Sequence, residues 1–261
     1  MRSRAPVLRM SGQLSVATSS PWVWTTYGVD PTSAVSASPP RPRKPFRARY
    51  VSPASLNHEL PTARRPELAF CGRSNQGKST LIGKLLGNPK LVRSSKAPGC
   101  TQTVNYFELR ETGGGGGGDV RAAASAAAAA PHGYLVDLPG YGFARESKRA
   151  VRGWNLSVKE YLDGRASSVL RRTFVLVDSR HGLKPDDEDM LEFFTERGVE
   201  NMVVLTKVEK ASPAQLFKSL EGVFQAALHN PGTVPVVHCV SAVTGLGMGE
   251  FTNTVFRLLA K

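Results

Sequence analysis

The stretch that decides the fold is Gly72-Arg73-Ser74-Asn75-Gln76-Gly77-Lys78-Ser79. It fits the pattern G-x-x-x-x-G-K-[ST], which forms a phosphate-cradling loop only between a strand and a helix. Both flanks are present. Leu68-Ala69-Phe70-Cys71 is a short apolar run ending at glycine, and Leu81, Ile82, Leu85 and Leu86 recur at helical spacing. The residue types then supply the chemistry. Glycines let backbone N–H groups curl around an anion, and the helix N-terminus adds partial positive charge. Lys78 is placed to reach β- and γ-phosphates, and the Ser79 hydroxyl to take one position on Mg²⁺, with Thr80 counted among the nucleotide-binding residues.

Outward from this loop, strands and helices alternate. Val104 to Leu109 alternates like a strand, and Tyr134 to Val136 reads as another. Further strands are Phe174 to Val177, Met202 to Leu205, and Val234 to Val240. Helical patterns cover Pro185 to Arg197, with Gly198 as a stop, and Pro213 to His229, with Ser212 as N-cap. The last covers Met248 to Leu259. The order implies an α/β domain: a mostly parallel six-stranded sheet with one antiparallel hairpin and helices on both faces. Inside that hairpin sits a Gly/Ala-rich stretch, residues 111–131. It is low-complexity, and a tolerated loop expansion is the favoured reading over a partner-binding insert. Both open ends of the hairpin face the nucleotide, so the insert is expected at the far tip.

Asp137-Leu138-Pro139-Gly140-Tyr141-Gly142 follows the third strand. Asp137 is placed to hold Mg²⁺ through a water, and the Gly140 N–H to sense a γ-phosphate. The polar loop Ser94 to Thr103 offers Thr101 as a second hydroxyl on the metal. Loops of this kind are held by the γ-phosphate and released on hydrolysis. A phosphate loop with D-x-x-G at this separation favours GTPases over generic ATPases. Thr206-Lys207-Val208-Glu209 after the fifth strand fits a guanine-reading loop of the form Asn or Thr, Lys, any residue, Asp, with Glu209 in place of the acid.

Composition sets the bounds. The chain has 261 residues and a formal net charge of +13. Residues 1–58 carry eight Arg and Lys against one acid, Asp30, so more than half of the excess lies there. This segment is rich in Ser, Pro and Arg and lacks a secretory core. A transit peptide is expected, with a retained basic arm as the alternative, and a G domain over residues 59–261. A mitochondrial destination is favoured and a plastid is open. Cys71, Cys100 and Cys239 are far apart and odd in number, which argues against a disulfide framework or zinc site. No apolar run approaches the ~18–20 residues that span a bilayer.

With these motifs in place, the sequence resembles the EngB family of TrmE-Era-EngA-YihA-like translation-factor GTPases. The resemblance rests on GRSNQGKST, SSKAPGCTQ, DLPGYGFA, DSRHGLKPDD, TKVEK and SAVTGLG, and covers residues from about 66 onward. It implies a Mg²⁺-dependent GTPase that binds GTP and GDP and assists assembly of the large ribosomal subunit. The partners would be ribosomal RNA and proteins, not DNA. The family is also linked to cell division in bacteria. Ser241, Ala242 and Val243 match its second base-contact loop. Tyr141 stands where many GTPases place a water-orienting Gln, so slow turnover is expected. Asn75 matches a residue that in some relatives helps hold K⁺ near the phosphates, which would stabilise charge as an arginine finger does. Two departures stand out. Gln76 replaces a small apolar residue and would need a buried partner, and Cys100 replaces an Arg.

Arg145, Lys148, Arg149 and Arg152 cluster beside the loop after Gly140. A solvated basic face and a contact to RNA phosphates are both open readings. Val151, Trp154, Val158 and Leu162 would form the buried side of that helix. Arg180 and His181 follow a strand end on the nucleotide-facing rim, where contact and packing fit equally. Two functional classes remain: an active GTPase, or a structural assembly factor whose chemistry has faded, toward which only Glu209 leans.

Overall fold

The computed structural model describes residues 7–9, 15–20, 23–26, 46–54, 63–94, 104–111, 132–141 and 148–260. Ten strands form one sheet: β1 (Val7–Arg9), β2 (Ser15–Ser20), β3 (Val23–Thr26), β4 (Phe46–Ala54), β5 (Glu67–Gly72), β6 (Val104–Glu111), β7 (Gly133–Asp137), β8 (Leu170–Asp178), β9 (Asn201–Thr206) and β10 (Val236–Cys239). Their order is β1-β2-β3-β10-β9-β8-β5-β7-β6-β4. The central strands β10, β9, β8, β5 and β7 are parallel, and the flanking pairs are antiparallel. The described helices are α1 (Lys78–Leu85), α2 (Pro89–Ser94), α3 (Lys148–Arg165), α4 (Pro185–Glu196), α5 (Pro213–His229) and α6 (Met248–Leu259), with a 3₁₀ turn at Val208–Lys210.

All six expected strands form, and the sheet is wider than expected because residues 7–54 add four. The most consequential addition is β4, which pairs with β6 from Phe46↔Glu111 to Ala54↔Val104. It lies on the N-terminal side of the boundary expected at residue 58. Its sequence, FRARYVSPA, alternates apolar and basic residues, which suits an edge strand with one buried face. Ala48 and Tyr50 pack into one core layer, while Arg49 pairs with Glu108 on β6 at 2.9 Å. Pro53 is tolerated because an edge strand has a side that needs no donor.

Two apolar layers cover the two faces of the sheet. One packs Val158, Tyr161 and Leu162 of α3, Leu191 and Phe194 of α4, and Val223 and Phe224 of α5 onto Val175, Val203 and Val237. The other packs Leu81 and Ile82 of α1 and Phe251, Val255 and Leu259 of α6 onto Phe70, Phe174 and Val204. Each such fully buried side chain contributes about 1.5–3 kcal/mol relative to exposure. Val158 and Leu162 of the expected α3 stripe are buried; the Val151 and Trp154 side chains lie outside the described residues. Local signals set the ends of α5. Ser212 caps it, its hydroxyl accepting from Gln215 N at 3.3 Å while Gln215 Oε1 accepts from Ser212 N at 2.8 Å.

The end of α3 is tied to the start of β5. Glu67 is fully buried, and its Oε2 accepts a hydrogen bond from Tyr161 at 3.0 Å. Arg165 Nη1 lies 3.2 Å from Oε1. Burial pushes the Glu67 carboxyl up to about 7, against the pull of Arg165 and the tyrosine hydroxyls.

The chain crosses from β7 on one side of β5 to β8 on the other. A crevice at the carboxyl ends of the strands is expected at such a switch point, and the loop Arg73–Gly77 emerges there. The insert of residues 111–131 joins β6 and β7 where Leu109 faces Gly133, opposite the end where Asn105 faces Asp137; beyond Glu111, the last residue of β6, it lies outside the described residues. No described helix is long and apolar enough to cross a membrane.

Candidate nucleotide site

The glycines of the phosphate loop have separate reasons. A Cβ on Gly72 would lie 2.9 Å from the Leu176 carbonyl oxygen, so the strand can approach β8 only without a side chain. Gly77 has φ 92°, a left-handed conformation that side chains rarely adopt, and a Cβ there would meet only ordinary contacts, Lys207 Cε at 3.8 Å and Thr206 Oγ1 at 4.0 Å. Its constraint is therefore conformational: it turns the chain into α1, with Lys78 as the first helical residue and Ser79 the second. Asn75 is also left-handed, at φ 64°, which Asn tolerates better than most residues. Ser74 and Asn75 are exposed at the loop's crest.

Lys78 and Asp137 form an ion pair. The cation expected at the phosphates and the carboxylate expected at Mg²⁺ are thus together, each largely buried. Gly140 follows three residues later, and Tyr141 bridges back to Arg73. Thr101 and Arg145 lie outside the described residues. Lys148, Arg149 and Arg152 fall on the first turns of α3, as expected.

The base-side loop is locked to the phosphate loop. Thr206 Oγ1 donates to the Gln76 carbonyl at 2.7 Å, with Val177 O a second acceptor at 3.2 Å. Lys207, left-handed at φ 57°, donates from Nζ to the Asn75 carbonyl. Its Nζ also lies 2.9 Å from Asp178 Oδ2. Asp178 is gripped from the other side by Arg180, through Nε at 2.9 Å and Nη2 at 2.7 Å. Burial alone would raise the Asp178 carboxyl. The hydrogen bonds from Arg180 and Lys207 outweigh it and hold the group well below the usual carboxylate range. Arg180 therefore has a packing partner in Asp178, while His181 is exposed.

Between these loops lies a cavity of about 170 Å³. Gly77, Thr80, Thr206, Lys207, Glu209, Ala242 and Val243 contribute to its lining. Ser241, next in sequence to the lining residue Ala242, is fully buried, its Oγ accepting from Thr244 N at 3.0 Å. Val243 is exposed at the rim. Glu209 Oε2 is buried and has no hydrogen-bond partner. An unpaired buried acceptor in a cavity wall suits a ligand that presents N–H groups. The residues present therefore fit a guanine nucleotide: an anion-binding loop, a hydroxyl at Ser79 and a carboxylate at Asp137 of the kind that could hold Mg²⁺, and an acceptor at the base end.

Gln76 answers one expectation in the negative. It is buried, and its Oε1 has no partner. Asp178 and Asp187 are the site residues to which the sequence assigned no role. Both lie in the quoted DSRHGLKPDD stretch, and only their contacts reveal them.

Fold and site together define a phosphate-loop GTP-binding protein. The 50S ribosome-binding GTPase family matches residues 67–207, more than half of the chain. The probable GTP-binding protein EngB of Cereibacter sphaeroides is 39% identical over 209 residues, covering 80% of this chain and 86% of that one. The protein of the same name from Hyphomonas neptunium is 40% identical over 213 residues, covering 81% and 88%. The chain belongs to the EngB family of GTP-binding proteins. Among solved structures, a probable GTP-binding protein engB superimposes with a TM-score of 0.55 at 21% identity, over 74% of this chain and 98% of that one, a likeness of fold.

Proposed function

We propose that this protein is a GTP hydrolase that binds a precursor of the large ribosomal subunit and assists its assembly in an organelle. The carrying observation is the cavity between the phosphate loop, at Gly77 and Thr80, and the base-side loop, with the unpaired Glu209 Oε2 in its lining; the Lys78–Asp137 pair follows directly on Gly77. The ribosomal partner is supported by the family's description and by the basic residues Lys148, Arg149 and Arg152 on α3.

Lys78 would exchange Asp137 for the phosphates when nucleotide binds, freeing the Asp137 carboxylate to help hold Mg²⁺. Gly77 and the N-terminus of α1 present N–H groups to the phosphates, Thr206 and Lys207 keep the base loop in register with them, and Glu209 accepts from the base. Mg²⁺, and K⁺ beside Asn75, would supply charge stabilisation at the phosphates. Tyr141 offers no side-chain amide to orient water, so intrinsic turnover is slow and rises on the ribosomal particle. Glu209 favours a second reading, a structural assembly factor with weak hydrolysis. Removal of a leader in the mitochondrion, or in a plastid, would take strands from the sheet if it passed Val7, and would take β4 from the edge beside β6 if it passed Phe46.

The test is co-sedimentation with large-subunit particles in GTP, GDP or no nucleotide, across a salt series. GTP-dependent retention is expected, with affinity and salt slope both reduced by Arg149→Glu with Arg152→Glu. Retention indifferent to nucleotide would favour the structural reading, and no retention would remove the ribosomal partner.

A further inference from the structure

One carboxylate outside the nucleotide motifs holds two of them. Asp187, in the first turn of α4, is fully buried. Tyr141 donates its hydroxyl to Asp187 Oδ1 at 2.9 Å. Arg73 Nε donates to the same carboxylate, at 3.3 Å to Oδ1 and 3.2 Å to Oδ2. Lys184 N completes the set at 2.9 Å to Oδ2. Tyr141 is itself buried, and its backbone is paired with that of Arg73.

Arg73 is the second residue of the phosphate loop. Tyr141 is the residue after Gly140, whose N–H faces the γ-phosphate in the proposed site. A buried carboxylate needs its partners, because an unpaired charge there would be strongly disfavoured. The arrangement therefore resists rotation of Tyr141 away from Arg73.

We infer that Asp187 is a positioning residue: by binding Arg73 and Tyr141 together, it fixes Gly140 relative to the phosphate loop and so sets how well the site distinguishes GTP from GDP. This rests on the guanine-nucleotide reading of the site. It also gives Tyr141 a role that a water-orienting side chain at that position would not have. The phenol is turned to the base of α4.

The test uses the full chain and measures equilibrium affinity for GDP and for the slowly hydrolysed analogue GTPγS in Mg²⁺, with Tm alongside. Tyr141→Phe keeps the buried ring and removes only the hydroxyl. GDP affinity is expected to stay within about twofold, while GTPγS binds roughly three- to tenfold more weakly. Asp187→Asn should shift the ratio in the same direction. If that variant does not fold, Tyr141→Phe alone decides. An unchanged ratio, an improved ratio, or equal losses for both nucleotides would overturn the inference and leave the nucleotide site standing. A wild-type chain that binds neither nucleotide would overturn both.

Discussion

Shortening Glu209 to Asp tests the base end of the site. Glu209 Oε2 is buried in the wall of the cavity with no hydrogen-bond partner. A guanine base would present two adjacent N–H donors to such an acceptor. Glu reaches about 1.5 Å further than Asp, so the base must shift or the side chain must fold back. A hydrogen bond to a charged acceptor contributes about 1.5–3 kcal/mol when its geometry is good. Freezing one torsion fewer spares about 0.5 kcal/mol. Recovering part of one bond and that torsion gives Glu209→Asp a gain of ~1–2 kcal/mol, or about five- to thirty-fold in Kd. The assay is equilibrium titration with a fluorescent guanine nucleotide, competed by unlabelled GTP, GDP and ATP. Glu209→Ala should weaken GTP and leave ATP unchanged. Equal or weaker GTP binding by Glu209→Asp would refute the reasoning, because the carboxylate would then not be reading the base.

Three other predictions rest on neighbouring features. His238 is fully buried, neither ring nitrogen has a partner, and burial pushes its pKa down to about 3. The unfolded chain therefore binds its proton first, and this contribution is full above about pH 6.5 and lost as pH falls toward 3. At pH 5 the loss is about 2 kcal/mol, so His238→Leu should flatten the fall in Tm between pH 7.5 and 5. Gln76→Val removes an unpaired buried acceptor and should raise stability by about 1 kcal/mol in thermal denaturation, with nucleotide binding retained. Asp178→Asn removes the charge that holds Lys207 and should weaken GTP and GDP together, roughly tenfold, in the same titration.

The sequence made the frame legible because periodicity and loop chemistry agreed. Cys71-Gly72 leads from strand to loop, Gly77 into helix, and the capping residues around Ser212 mark α5 to the residue. β4 escaped because the bulk composition of residues 1–58 masked its short alternation, and an edge strand with Arg47 and Arg49 on it reads as a basic tail. The contacts of Asp187 were beyond reach. They join residues 46 and 114 positions apart, and no pattern along the chain encodes such a meeting. The same holds for Asp178 and Lys207, which meet only because β8 and β9 are parallel neighbours in register, Asp178 beside Thr206. The unmet need of Gln76 was foreseeable from its chemistry, and the structure locates it in the side-chain Oε1, the backbone carbonyl being paired with Thr206.

The central claim is a guanine-nucleotide site built by Lys78, Asp137 and Glu209. It is tested most directly by equilibrium binding of GTP, GDP and ATP to the full chain, with and without Mg²⁺, beside Lys78→Ala. The account predicts Mg²⁺-supported GTP binding, ATP at least about a hundredfold weaker, and loss of GTP binding in the variant. ATP competing as well as GTP, or GTP binding untouched by Lys78→Ala, would contradict it.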